Sequence, residues 1–432
     1  MAQIEDHPLR YRLANELHAR PFPALAAPCH AAYLAVQPLQ DAASRSRVTD
    51  RTHLTALLDR FGASHPAADA THFFGDIGRH QLKWESHTEF VTYTAFTPGI
   101  EARPFDSATF ELFPDEWLAM APGVRATSAL IRVDFIPEDE GQIEKLLTDW
   151  FEPESLACSR VVDGAAVIAC DFRIDPAGHM RIAVFVRPGT GPRRIGRIVQ
   201  RLCEVETYKA MSMLGLAQVR DLAAPMGQVD QRLTSLVSGM GGHGRSADQT
   251  LEELLQVSAE LETLLVQSSF RFGATGAYEA LVAQRIVALR EERFVSRQTF
   301  AEFMMRRFDP AMRTVKSAEV RLQSLAERAA RAADLLRTRV DVERSAQNQK
   351  LLESMDRRAD LQLRLQHTVE GLSVVAISYY AVNLAAYILA PVAEGLHLGK
   401  AVEMALLTPV IVLLVWLVVR RIRAGAGKAA DP

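Results

Sequence analysis

Along this chain the spacing of apolar residues changes character twice, and each change predicts a different kind of structure. Up to about residue 187 strand signals dominate. Residues 32–39 (AYLAVQPL) read as a short apolar strand, and 82–96 (LKWESHTEFVTYTAF) as one long alternating strand or a tight hairpin. Residues 126–136, 164–172 and 179–186 add three more strands. The last two are joined through Asp175, Pro176, Ala177 and Gly178, a strong turn signal. Helical spacing appears at 47–62, with Thr49 or Asp50 as its N-cap, and at 140–151. The chain opens with HPLRYRLANELHARPFP, where Leu9, Leu13 and Leu17 recur at helical spacing until Pro21 and Pro23 end the helix. His18 and Arg20 then complement the dipole of its last turn, or serve with Glu16 as a ligand element.

From 191 to 368 the pattern is nearly all helical. Pro225 interrupts it, and helix resumes over 229–237. Leu251, Leu254, Ser258, Leu261 and Leu265 alternate three and four apart, the spacing of a coiled coil. A helix over 282–309 is stopped by Pro310. Residues 312–368 contain neither proline nor glycine, enough for a rod of roughly 80 Å. Its apolar seam includes Leu322, Leu325, Ala329, Ala332, Leu336 and Val340. Such a rod needs neighbours, and an oligomer is the simpler source of them than an intramolecular bundle.

The second change is to continuous hydrophobicity. Residues 372–393 carry no formal charge, and 404–419 (MALLTPVIVLLVWLVV) run apolar up to Arg420, Arg421 and Arg423. A helix of roughly 20 apolar residues crosses a bilayer core. The second run reaches that length when 398–402 join it and Lys400 snorkels outward. The short loop between them makes the pair an antiparallel hairpin. Basic residues flank its outer ends: Arg357, Arg358 and Arg364 before it, Arg420, Arg421, Arg423 and Lys428 after it. The loop sets one lysine against Glu394 and Glu403. The positive-inside rule places both termini in the cytoplasm.

The expected fold class is therefore an α+β cytosolic head with a mostly antiparallel sheet, a long α-helical, coiled-coil stalk, and a C-terminal two-helix transmembrane hairpin. The corresponding divisions are 1–190, 191–368, 369–421 (spans at about 371–393 and 401–419) and a basic tail, 422–432. A hydrophobic content of 48% supports a real core, and a net charge of −3 offers no pull toward nucleic acid. Cys29, Cys158, Cys170 and Cys203 form no C-x-x-C pair and read as reduced thiols. The opening residues lack the apolar core of a cleavable signal peptide, which leaves insertion to the C-terminal runs.

Candidate chemistry is sparse. On a regular strand Lys83, Glu85, His87 and Glu89 share one face, opposite Trp84, Ser86, Thr88 and Phe90. Two carboxylates flanking a histidine can hold a divalent cation or perform acid–base work, but a solvated strand face gives the same pattern. Phosphate-loop, zinc-protease and serine-hydrolase signatures do not occur, and the glycine-rich stretch 238–246 reads as a flexible turn. No enzyme activity and no organic cofactor are expected.

The order of head, long helices, rod and apolar pair resembles the CorA-type magnesium transporter superfamily. That superfamily carries a tyrosine-glycine-methionine-asparagine-phenylalanine signature near the outer end of its first span. Here the comparable residues are Tyr380, Ala381, Val382, Asn383 and Leu384, so tyrosine and asparagine match while the glycine, methionine and phenylalanine are replaced. The resemblance implies Asn383 at a pore mouth accepting a hydrated cation such as magnesium. It implies Tyr380 in support, and Glu394 and Glu403 as an outer attraction. Across the whole chain, HPLRYRLANELHARPFP and VEGLSVVAISYYAVNL are similar to a bacterial domain-of-unknown-function family of membrane-anchored proteins. That similarity implies an inner-membrane location and supplies no activity. The functional expectation is a membrane-anchored scaffold or regulator, homo-oligomeric, whose head binds a cytosolic partner. A CorA-like divalent-cation channel is the alternative.

Overall fold

The computed structural model describes residues 4–16, 22–240, 246–395 and 399–427. The expectations for His18, Arg20, the loop at 396–398 and most of the glycine-rich stretch fall outside these residues. The chain divides into two compact units, Met1–Ala333 and Asp334–Pro432.

In the first unit α1 (Arg10–Glu16) precedes β1 (Cys29–Gln37), α2 (Arg47–Arg60), β2 (His72–Ile77), β3 (His80–Ser86) and β4 (Val91–Pro98). Then come α3 (Asp115–Ala119), β5 (Val124–Phe135), α4 (Gly141–Trp150), β6 (Ala157–Val161), β7 (Ala166–Ile174) and β8 (Met180–Val186). Two long helices follow, α5 (Pro192–Gly239) and α6 (Ala247–Leu289), then β9 (Glu292–Arg293), α7 (Phe300–Arg307) and the start of α8 (Asp309–Gly395). Among the described residues the strands form one sheet in the order β2-β3-β4-β1-β5-β8-β7-β6-β9. Only the β5–β8 pairing is parallel.

Burial of β1 on both faces accounts for its unbroken apolar run. Ala31, Tyr33 and Ala35 pack with Ile198, Val199 and Leu202 of α5 and Val282 and Ile286 of α6. Ala32, Leu34 and Val36 turn the other way, toward Leu54, Leu57 and Leu58 of α2 and Trp117 of α3. At the far end of the sheet Ile143 and Leu147 of α4 cover Val167 and Phe185. Sheet and helical hairpin thus share one core.

Several details differ from the sequence reading. Ser46, not Thr49 or Asp50, caps α2, its Oγ accepting from Thr49 N at 3.3 Å. The 82–96 segment is a hairpin. Strands β2, β6 and β9 carry no clear alternation and were not anticipated. Helix α5 passes through Pro225 unbroken. A proline removes the bond to the carbonyl four residues back, and that residue, Asp221, is exposed to solvent. The predicted helix at 282–309 is three elements, because Arg290 adopts a left-handed conformation (φ 50°) that ends α6. Pro310 lies in the first turn of α8, where its missing N–H costs nothing. On α6 the buried stripe follows Leu254, Val257 and Leu261, so Val257 takes the place expected for Ser258. Leu322, Leu325, Ala329 and Ala332 of α8 are buried as expected.

In the second unit α8 continues without a break to Gly395, and α9 (Lys400–Gly427) follows. Both are long and apolar enough to cross a membrane. Of the most apolar window, 11% is buried in the first, and none in Lys400–Arg421.

Candidate functional site

The β3–β4 hairpin aims its charged side chains at the long helices. Lys83 and Glu85 pair at 3.0 Å, their side chains only 6% and 11% exposed. Lys83 Nζ also donates to Gln200 Oε1 of α5 at 2.7 Å. Gln200 Nε2 donates in turn to Glu204 Oε1 at 2.9 Å, and Glu204 pairs with Arg285 of α6. A polar chain therefore crosses from sheet to α5 to α6. Beside it lies a cavity of about 20 Å³, lined also by Tyr33, Cys203 and Thr207, with room for one water. Tyr33 hydrogen-bonds Thr207, and burial pushes both the Tyr33 phenol and the Cys203 thiol well above their ordinary values.

His87 lies beyond the end of β3, its ring stacked on Phe90 at 4.5 Å. Glu89 turns elsewhere. Its side chain is 2% exposed and is held by three donors: Arg271 Nη2, the Tyr278 hydroxyl at 2.9 Å, and Gln37 Nε2 at 3.3 Å. Burial first, and the Glu89 carboxylate second, raise the Tyr278 phenol. Tyr278 stacks on Tyr208 at 5.7 Å, which joins α6 to α5 beside the hairpin.

The turn itself is fixed by Arg45. Its Nε meets Asp50 Oδ2 at 2.8 Å, and the two side chains are 5% and 2% exposed. Its remaining N–H groups donate to Ser86 Oγ at 3.1 Å, His87 O at 2.6 Å, Phe90 O at 3.0 Å and Thr88 O. One guanidinium thus replaces the ladder that β3 and β4 leave incomplete at their turn. Burial raises the Asp50 carboxyl above its ordinary value despite Arg45.

Glu85 and His87 line the same small cavity, but Glu89 does not join them: its carboxylate belongs to Arg271, Tyr278 and Gln37, and that of Glu85 to Lys83. The single-face expectation fails at Glu89, because β3 ends at Ser86 and alternation stops with it. Among the described residues no group of three or more histidine, cysteine or acidic side chains is placed to hold a metal. Arg45, Gln200, Arg271 and Tyr278 escaped the sequence reading, since the partners of Glu89 lie 182 and 189 residues away and leave no local pattern.

In the second unit α8 runs helically through residues 380–384, with no turn at the degenerate signature. Asn383 Nδ2 donates to Tyr379 O at 3.0 Å, an intrahelical bond, and the Tyr380 ring is 72% exposed. The side chains of Glu394 and Glu403 fall outside the described residues.

Residues 5–426 match a family described as "Protein of unknown function (DUF3422)". The chain belongs to this DUF3422 family. No curated protein and no solved structure matches it. Because the DUF3422 match covers sheet, helical hairpin and both apolar helices, these parts form one family unit. The family description names neither a membrane anchor nor a magnesium transporter.

Proposed function

We propose that this DUF3422 protein is a bilayer-anchored scaffold or regulator, held in a bacterial inner membrane by its two terminal helices with both termini in the cytoplasm. The observation that carries the reading is the exposure of apolar side chains on those helices. Tyr387 is 81% exposed, Ile388 68% and Leu406 63%, and hydrocarbon is the environment in which such surface is stable. Arg420 lies over the Trp416 ring at 5.2 Å, the pairing expected where a span meets the headgroups. A binding role for the head fits better than acid–base catalysis, because Glu85 and Glu89 are both taken up by basic partners. A homo-oligomer and a cytosolic protein partner belong to the same proposal.

The protein is expected to resist carbonate extraction from membranes, and a chain ending at residue 368 to be released. Lys400→Cys should react with an impermeant maleimide in intact spheroplasts, and Lys428→Cys only after lysis. Extraction by carbonate, or the reverse labelling order, refutes the anchor or its orientation. The continuity of α8 into the first apolar run favours a second reading, a divalent-cation channel. It requires magnesium flux into liposomes that Asn383→Ala abolishes.

A further inference from the structure

We infer that two copies of this chain pack together along one side of α8, from just outside the cytoplasmic face of the bilayer to its middle. That side carries Leu365, Val369, Ser373, Ala376, Tyr380 and Asn383, successively four, four, three, four and three residues apart. At about 100° per residue this spacing keeps all six within roughly a quarter-turn of the helix. The inference rests on the anchor reading and names the surface by which the proposed oligomer forms.

The hairpin closes on a different side. Among the described residues of the first apolar run, Ser378 and Val382 are buried, at 5% and 7% exposed, and Val374 and Ala385 are half-buried beside them. On α9 the half-buried positions are Leu407, Ile411, Val415 and Val419, one every four residues. These are the faces that α8 and α9 turn to each other. Tyr380 is 72% exposed on the far side of α8, and Asn383 lies between the two sides, half-buried.

Polar chemistry then selects the occupant. Asn383 lies midway between Leu372 and Ala393, about 15 Å of helix from each, deeper than the headgroup belt where tyrosines collect. Its Nδ2 donates one hydrogen to Tyr379 O, which leaves the second N–H and Oδ1 without a partner among the described residues. The Tyr380 ring meets Tyr379 at 5.8 Å, and its hydroxyl has no partner among the described residues. Such groups are costly in hydrocarbon, and α9 has little to offer them. Its Thr408 already donates to Met404 O, and its Trp416 lies under Arg420 at the basic end of the span. A second copy inserts the same way and brings an identical carboxamide to the same depth. Each Asn383 can donate to the other's Oδ1 and accept in return. Ser373 and Ala376 are small enough to let the two backbones approach. Leu365 and Val369, 65% and 55% exposed, bury apolar surface in the same contact, and Gln362, the next position on that side, ends it.

The test is disulfide cross-linking of the full-length protein in membranes, with copper phenanthroline as the oxidant. The native cysteines are buried and do not compete. Ser373→Cys and Ala376→Cys place a thiol on the inferred contact. Val375→Cys and Ile377→Cys place one about 100° to either side of Ala376, at positions 69% and 50% exposed. A disulfide needs Cα atoms within about 7 Å, so the first two variants should yield about tenfold more of a species of twice the chain mass than the second two. Asn383→Leu keeps the bulk and removes the amide. It should weaken association roughly three- to thirtyfold, read by analytical ultracentrifugation in detergent. Carbonate extraction of every variant separates the two readings. Release by carbonate refutes the anchor and the inference with it. In protein that resists carbonate, the inference alone is overturned by cross-linking that is absent, equal at all four positions or strongest at Val375 or Ile377. It is overturned equally by an Asn383→Leu variant that associates as wild type does.

Discussion

Arg45→Met removes the guanidinium that fixes the β3–β4 turn and keeps most of its aliphatic stem. Asp50, 2% exposed, is then a buried carboxylate without its cation, and the turn carbonyls of His87, Thr88 and Phe90 lose a shared donor. Breaking a buried ion pair from one side costs about 3–5 kcal/mol. Urea unfolding followed by the fluorescence of Trp84 and Trp117 should show a loss of that order at pH 7.5. The double variant Arg45→Met/Asp50→Leu should lose less, since no orphaned charge remains. The pH dependence supplies a sign. Burial raises the Asp50 carboxyl, so the folded state binds its proton more tightly than the unfolded state does. Its contribution to stability is complete below the ordinary value of 3.8 and is lost as pH rises through the raised one. Without Arg45 that carboxyl rises further, so Arg45→Met should recover part of its deficit on acidification. A loss under about 1 kcal/mol with unchanged hydrogen exchange over residues 86–90 refutes the assignment of the turn to Arg45.

Three further outcomes follow from the same structure. Gly215→Ala should destabilise the α5–α6 pair, because its Cβ would meet Thr275 Oγ1 at 2.3 Å; adding Thr275→Gly should restore much of the melting temperature. Burial lowers the pKa of His53, His80 and His179, so each favours the unfolded state when protonated. Stability should fall as pH drops below about 6.5, and His53→Gln should flatten part of that slope in acid titrations followed by fluorescence. All four cysteines are buried, with Cys29 and Cys158 pushed up to about 12, so iodoacetamide at pH 8 should label none until urea is added. Rapid native labelling of any of them, detected by mass spectrometry, contradicts the burial.

What the sequence revealed depended on whether neighbours in the chain were also neighbours in space. The β7–β8 turn was legible because Asp175-Pro176-Ala177-Gly178 contains its own geometry: Gly178 sits at φ 92°. Helices α2 and α4 and the two apolar helices were legible for the same local reason, whereas 82–96 fitted one long strand as well as the hairpin it forms. Strand β9 was not, because Glu292 and Arg293 become a strand only by pairing with Arg160 and Ser159. Pro225 misled because its compatibility with α5 depends on which carbonyl it deprives. The shared face of Glu85, His87 and Glu89 assumed a strand that continued past Ser86. The partners of Glu89 and of the His87 carbonyl, supplied by β1, α6 and the residue before the α2 cap, had no signature at the hairpin.

The shared core also sets a timetable for the nascent chain. The cluster that holds Leu25 against α5 includes Val282, Ile286, Phe300 and finally Met312. A ribosome that has made only the first eight strands has therefore produced a sheet whose β6 edge is open and whose broad face is bare. Domains emerging in such a state are vulnerable to misassociation. The arrival of Met312 completes that cluster, and it precedes Leu372, where the first apolar run begins. The head can thus close before any of the greasy C-terminal sequence is exposed, so a chaperone acting on this protein has two successive clients: an unfinished sheet first, and a pair of apolar helices afterwards.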